Sequence, residues 1–377
     1  MMRTASIKLK VTPEQSARLL ALRAPYGARN RLLPTVRQHR LWNRVGLDQR
    51  AYAMLRETTP LGSQLCCNAI FSVCKAYKAQ KALGRIPPGQ PVPAIRFDRA
   101  SVHYDKRTYS LQGNVLSLNT LAGRIAVSRM LGDYQRRILE SGTLKEADLV
   151  VRKGNWYFHL AVESGDPEPM ASGPVMGVEV GENNLAATSL GKVYGGERLR
   201  HQRDRYLAQR RRLQSNGSQS AKQKLWQVSG KQMRRVKHIN HETSKAMVAA
   251  AVEARISALA MEDLTHIRAR IRAGKRMRGR LHRWAFRQLQ TFVEYKAKAV
   301  GMAVQYVHPA YSSQTCSSGG ELGRRIRHRF VCEVCGLRAH ADLNASRNLA
   351  RSAATAVAAR AAVNTPNVGC VACHASP

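Results

Sequence analysis

An α/β domain, preceded by a barrel-like β region carrying a basic helical insertion, is the fold class predicted for these 377 residues, and three observations predict it. Short runs alternate apolar and polar residues at both ends of the first 165 positions. Between those runs, apolar residues recur at helical spacing with Arg and Lys among them. Beyond the linker "ESGDPEPMASGP", apolar strand-like runs alternate with helical stretches, the pattern of an α/β unit.

Taken in order, "ASIKLKVT" reads as a strand, and Pro13 to about Lys81 as helices. The Pro- and Gly-rich "GRIPPGQPVPAI" ends those helices, because proline cannot continue the hydrogen-bond ladder. "SVHYDKRTYSLQGNVLSL" and "KEADLVVRKGNWYFHLAVE" follow as strands joined by polar turns. Residues 1–11 with 86–165 are therefore expected to form the barrel, and 12–85 the helical insertion. Further on, "VMGVEVG", "LAATSL" and "ISALAMEDL" read as strands, and Glu197 to Glu253 as one long basic helical region.

The chain holds 62 Lys+Arg against 24 Asp+Glu, a net charge of +38 spread along its length, so a polyanion is the expected partner and nucleic acid the first choice. The N-terminus has no apolar signal core, and no stretch approaches eighteen uncharged apolar residues. A cytoplasmic protein is expected, whose eight cysteines serve as thiols or metal ligands and not as a disulfide framework.

Acids are scarce in the α/β half, so their positions are informative. Glu179 follows "VMGV", Glu262 and Asp263 end "ISALAM", and Asp342 stands in "AHADLNASRNLA" where an Ala-rich helix begins. Each alone could pair with an arginine or cap a helix, Asp342 as an N-cap. Three together in a cationic protein could instead hold Mg²⁺ beside a phosphate.

The order "GVEVGENNLA", "LAMEDL", a cysteine module and "ADLNASRNLA" resembles the split RuvC-like nuclease of the TnpB family, transposon-encoded RNA-guided proteins related to compact type V CRISPR effectors. The intervening "HINHETSKAMVAAAVE" and "WAFRQLQTFVEYKAKAVGMAVQYVHPAYSSQTC" are similar to that family too. The resemblance implies an RNase H-like nuclease domain over 172–307 and 340–360, a zinc-ribbon-like module over 308–339, a wedge-like role for the barrel, and a disordered tail over 361–377. It implies that Glu179, Glu262 and Asp342 bind two Mg²⁺ ions, one activating water and the other stabilising the leaving oxygen of a DNA phosphodiester. Guide RNA and target double-stranded DNA are the implied partners. Two positions depart from the family, Gly319 in the cysteine module and Glu179, where the family has Asp; the extra methylene at Glu179 reaches roughly 1.5 Å further, whereas catalytic groups tolerate about 0.5 Å. The alternative function is therefore a nuclease-deficient RNA-guided DNA binder acting as a repressor or targeting factor. A general RNA-binding protein with vestigial acids is a third reading.

Cys332 and Cys335 have zinc-ribbon spacing, and Cys316 opens an upstream pair whose second member is replaced by Gly319. That leaves three ligands for Zn²⁺, with His328 or His340 as the fourth, or an empty site. The terminal "CVACH" matches a haem-attachment pattern but lacks an export context, so Cys370, Cys373 and His374 are assigned to the tail. Cys66, Cys67 and Cys74 read as packing, and His238 and His241 as phosphate or solvent contacts. The clusters "RDRYLAQRRRL", "KQMRRVK", "RARIRAGKRMRGRLHR" and "RRIRHR", with Tyr206, Trp226 and Trp284 among them, suit phosphate contact and base stacking.

Overall fold

The computed structural model describes residues 1–97, 101–181, 183–265, 286–308 and 312–363, with side chains to residue 355. The chain divides into two compact units, Met1–Gly165 and Asp166–Pro377. Trp284, the cluster at 268–283, and Cys370, Cys373 and His374 lie outside the described residues.

In the first unit, β1 (Met2–Lys10) is followed by α1 (Pro13–Tyr26), a 3₁₀ segment (Gly27–Leu32), α2 (Leu33–His39), α3 (Arg44–Thr58) and α4 (Ser63–Ala82). Helix α1 starts at a capping box in which Thr12 and Gln15 satisfy each other's backbone N–H groups. The chain then returns through β2 (Val102–Tyr104), β3 (Tyr109–Gln112), β4 (Val115–Thr120), β5 (Gly123–Met130), α5 (Asp133–Glu140), β6 (Thr143–Arg152) and β7 (Asn155–Glu163). Its sheet has the order β2-β6-β7-β1-β5-β4-β3, a nearly closed barrel that places β1 between β7 and β5. Alternate residues of β7 point inward, so Trp156, Phe158, Leu160 and Val162 join Ile7, Tyr104 and Leu116 in the core. Cys66 and Cys74 are buried in the same core, as packing residues should be. One charge is unexpectedly inside: Arg29 stands 4.3 Å from the Phe97 ring centroid and donates to Ser72 Oγ at 2.7 Å.

The second unit begins with β8 (Val175–Glu179), β9 (Asn184–Thr188) and β10 (Val193–Gly195), then α6 (Glu197–Asn216) and α7 (Gln219–Glu253). The expected single basic region is thus two helices. Gly217 adopts φ +65 at the end of α6, a conformation that suits glycine, and the Ser218 side chain caps α7 by accepting from the Ala221 N–H. After β11 (Ala258–Glu262) come α8 (Phe286–Lys298), β12 (Ala303–Val307), a three-stranded antiparallel sheet of β13 (Arg324–Ile326), β14 (Arg329–Val331) and β15 (Arg338–His340), and α9 (Ala341–Val363). The main sheet has the order β10-β9-β8-β11-β12; β11 runs parallel to both β8 and β12, while β9 is antiparallel to β8. Among the described residues, no helix is long and apolar enough to cross a membrane.

Candidate functional site

Parallel pairing of β8 with β11 aligns Val178 with Met261, so the next residue on each strand, Glu179 and Glu262, ends its strand beside the other. Side chains repeat every two residues on a strand face. Gly177 therefore shares a face with Glu179, and Ala260 with Glu262. Helix α9 covers that face. A Cβ at Gly177 would collide with the Ser346 carbonyl oxygen and lie 2.7 Å from Ala350 N, while Ala260 packs with Leu349 and Ala353. Asp342 lies four residues before Ser346, one helical turn back on the same side, which brings it towards Glu179. Glycine at 177 thus lets α9, which carries Asp342 in its first turn, approach β8 closely.

The electrostatics reflect that convergence. The Glu179 carboxyl is pushed up to about 8, first by burial, then by the charges of Glu262 and Asp342, with Arg325 opposing the shift. Burial raises Glu262 to about 7. Glu179 Oε2 is buried without a hydrogen-bond partner. Asp342 is better served: Asn184 Nδ2 donates to its Oδ2 at 2.9 Å, and Arg325 Nη2 stands 3.6 Å from its Oδ1. An orphaned carboxylate oxygen beside two other acids is an arrangement that a divalent cation would relieve.

Asp342 is not the helix N-cap, the alternative that its sequence position allowed. It lies inside the first turn of α9, and its own N–H donates to His340 Nδ1 at 3.2 Å. Asp263 turns away from Glu262, its Oδ1 accepting from the Thr265 N–H at 2.9 Å. Sequence reasoning missed Asn184 and Arg325. Asn184 had one signal, an amide opening an otherwise apolar strand; Arg325 had none to separate it from its neighbours in "RRIRHR".

The cysteine module packs around Cys316, Cys332, Phe330 and Ala341. The sulfurs of Cys316, Cys332 and Cys335 all lie within 4.8 Å of one another, and Cys316 Sγ is 3.5 Å from Cys335 Sγ. Sulfurs at such separations suit a tetrahedral ion, whose Zn–S bonds are about 2.3 Å. Backbone N–H groups, Gly319 foremost, bring the Cys316 thiol down to about 7, and so favour the thiolate that metals bind.

His238 pairs with Glu242 at 3.3 Å, whereas His241 stacks on Phe292 with centroids 3.8 Å apart and belongs to the α7–α8 packing, not to a phosphate contact. The Tyr206 hydroxyl hydrogen-bonds Ser229 across the α6–α7 hairpin at 3.0 Å, but Trp226 is 69% exposed and offers its ring to solvent. Between these helices lies a cavity of about 680 Å³ with Leu199, Leu207 and Val236 in its wall and Arg200, Arg210 and Lys237 around it.

Residues 159–268 match the family described as "Probable transposase", and residues 286–349 the "Cas12f1-like, TNB domain". A TnpB-like protein of Methanocaldococcus jannaschii is 27% identical over 263 residues, covering 64% of this chain and 91% of that one. The chain belongs to the TnpB family. A CRISPR-associated endodeoxyribonuclease Cas12f1 of Sulfoacidibacillus thermotolerans is 40% identical to this TnpB-family chain over 114 residues, 29% of this chain and 26% of the nuclease. In fold, the chain is similar to CasPhi-2 (Cas12j) bound to crRNA, with a TM-score of 0.59 at 10% identity over 94% of this chain and 98% of the other.

Proposed function

We propose that this TnpB-family chain is an RNA-guided DNA endonuclease of RuvC-like, RNase H-type architecture, with Glu179, Glu262 and Asp342 as its metal-binding acids. The observation that supports the reading is the placement of these carboxylates at the ends of β8 and β11 and in the first turn of α9, where the charges of Glu262 and Asp342 push the Glu179 carboxyl up and one buried Glu179 oxygen is unpaired. Guide RNA and target double-stranded DNA are the proposed partners, supported by the +38 charge and by the exposed Trp226 on a basic hairpin. Base pairing in such a protein selects the target, and protein contacts read duplex shape and backbone.

The three acids would hold Mg²⁺, which when bound supplies charge stabilisation at a scissile phosphate and acidifies a water nucleophile. This chain's own residues prepare the place. Asn184 fixes the Asp342 carboxylate, and Gln290 Nε2 fixes the strand end by donating to the Glu262 carbonyl at 2.7 Å. Cys316, Cys332 and Cys335 would hold Zn²⁺, which supplies a structural cross-link when bound.

A second reading, guided binding with cleavage lost, is favoured by two observations. Glu179 is one methylene longer than the family's Asp, and Arg325 already faces Asp342 at 3.6 Å. Purified chain with its co-expressed RNA, given matched DNA and Mg²⁺, separates the two. Cleavage by the wild type that disappears in Asp342→Ala establishes the endonuclease. Guide-dependent binding with cleavage only in Glu179→Asp establishes the binder, and absence of copurifying RNA together with no preference for matched DNA removes both.

A further inference from the structure

We infer that Glu321 is the fourth ligand of the cysteine module, replacing the side chain missing at Gly319 and making a three-thiolate, one-carboxylate zinc site. This rests on the zinc reading of the module and adds to it the identity of a ligand.

Backbone geometry puts Glu321 in position. Thr315 pairs with Leu322, the Cys316 N–H donates to the Glu321 carbonyl at 2.7 Å, and the Gly320 N–H donates to the Cys316 carbonyl at 3.0 Å. Cys316 and Glu321 therefore face each other across one tight turn, with Gly319 inside it and its N–H 3.5 Å from Cys316 Sγ. The Glu321 carboxylate then folds back over the glycine. A Cβ at Gly319 would overlap Glu321 Oε2 and lie 3.2 Å from its Cδ. The space where a cysteine side chain would begin is thus filled by an anionic oxygen ligand, of a type that zinc accepts at about 2.0–2.2 Å.

The imidazoles are less well placed. His340 Nδ1 accepts from the Asp342 N–H at the start of α9, and its ring stacks on His328 at 5.9 Å between centroids. Among the described residues, the set of mutually close ligand atoms contains the three sulfurs alone, so a fourth ligand has to swing in. Glu321 is exposed and its side chain can rotate at little cost, whereas His340 would give up the cap it provides.

The test uses the full chain, loaded with Zn²⁺ for metal analysis and competition titration, and with Co²⁺ for visible spectra. Variants are Glu321→Ala, Glu321→Gln, His328→Ala, Gly319→Cys and Cys332→Ser. Wild type is expected to bind one zinc through the cysteines, with a cobalt spectrum of three sulfurs and one oxygen. Glu321→Ala and Glu321→Gln are expected to weaken zinc by at least about tenfold to a hundredfold, a loss that even outer-shell changes produce. Gly319→Cys is expected to shift the cobalt spectrum to four sulfurs. Unchanged affinity and spectrum in Glu321→Ala, whether or not His328→Ala alters them, overturns the role of Glu321 and leaves the zinc site standing. A wild type that binds no more metal than Cys332→Ser overturns the zinc reading itself.

Discussion

Glu179 combines burial, an unpaired oxygen and two acidic neighbours at one strand end, which is unfavourable for the metal-free chain and useful to a metal site. Glu179→Gln is expected to stabilise the metal-free protein by ~2 kcal/mol at pH 8, within the range for replacing buried charge by a neutral group, and to abolish stabilisation by Mg²⁺; thermal denaturation with and without Mg²⁺ reads both. Glu179→Asp shortens the side chain, and because about 1 Å of misplacement costs on the order of 100-fold, it is expected to raise single-turnover DNA cleavage by up to that factor. Arg325→Ala removes the cation facing Asp342 and is expected to tighten Mg²⁺ binding by up to about fivefold, the worth of a partly exposed pair. The three acids proposed as ligands stood out in the sequence because carboxylates at the ends of apolar strands, or at the start of an Ala-rich helix, of a cationic chain have few structural uses. Arg325 and Glu321 did not, and Asn184 only faintly, because contacts made in the folded chain, with Asp342 for Asn184 and Arg325 and across the turn at Gly319 for Glu321, are what distinguish them from ordinary surface residues.

At the scale of elements, the decisive contact is β8 against α9. Gly177→Ala is expected to cost about 1–3 kcal/mol or more, the range for overpacking, and to lower Mg²⁺ affinity, since its methyl would strike the Ser346 carbonyl; chemical denaturation and a Mg²⁺ titration check this. The α7–α8 contact carries a pH dependence. Lys296 donates to the His241 carbonyl at 2.9 Å and to Ser244 Oγ, and burial, aided by Lys245, brings its ammonium down to about 8. Unfolding restores the ordinary value of 10.5, so between pH 8 and 10.5 the unfolded chain binds more protons and stability rises with pH. Denaturation midpoints across that window should show the rise, and Lys296→Met should remove it. Helical and strand periodicity made most elements readable. The break at Gly217, the separate strand β5 and the short helix α5 were not drawn from the sequence, because a turn of one or two residues, or a strand of ordinary polarity, leaves little trace in periodicity.

At the scale of the whole molecule, 62 Lys+Arg against 24 Asp+Glu implies binding dominated by phosphate contacts. RNA affinity is expected to fall by about 10³-fold or more between 50 and 200 mM salt, the loss for a protein making at least six phosphate contacts, measured by filter binding. Composition alone supports that expectation, since net charge does not depend on how the chain folds. By itself the sequence determined the polyanionic partner and the α/β character of the second unit, and singled out the acids and cysteines proposed as ligands, because residue type and local spacing carry charge, periodicity and ligand chemistry. Only the tertiary structure decided that parallel register sets Glu179 beside Glu262, that a glycine lets the helix carrying Asp342 close on β8, and that the Glu321 carboxylate lies over Gly319. Those are distances between residues far apart in the chain or folded across a turn, and they exist only once strands pair and helices pack.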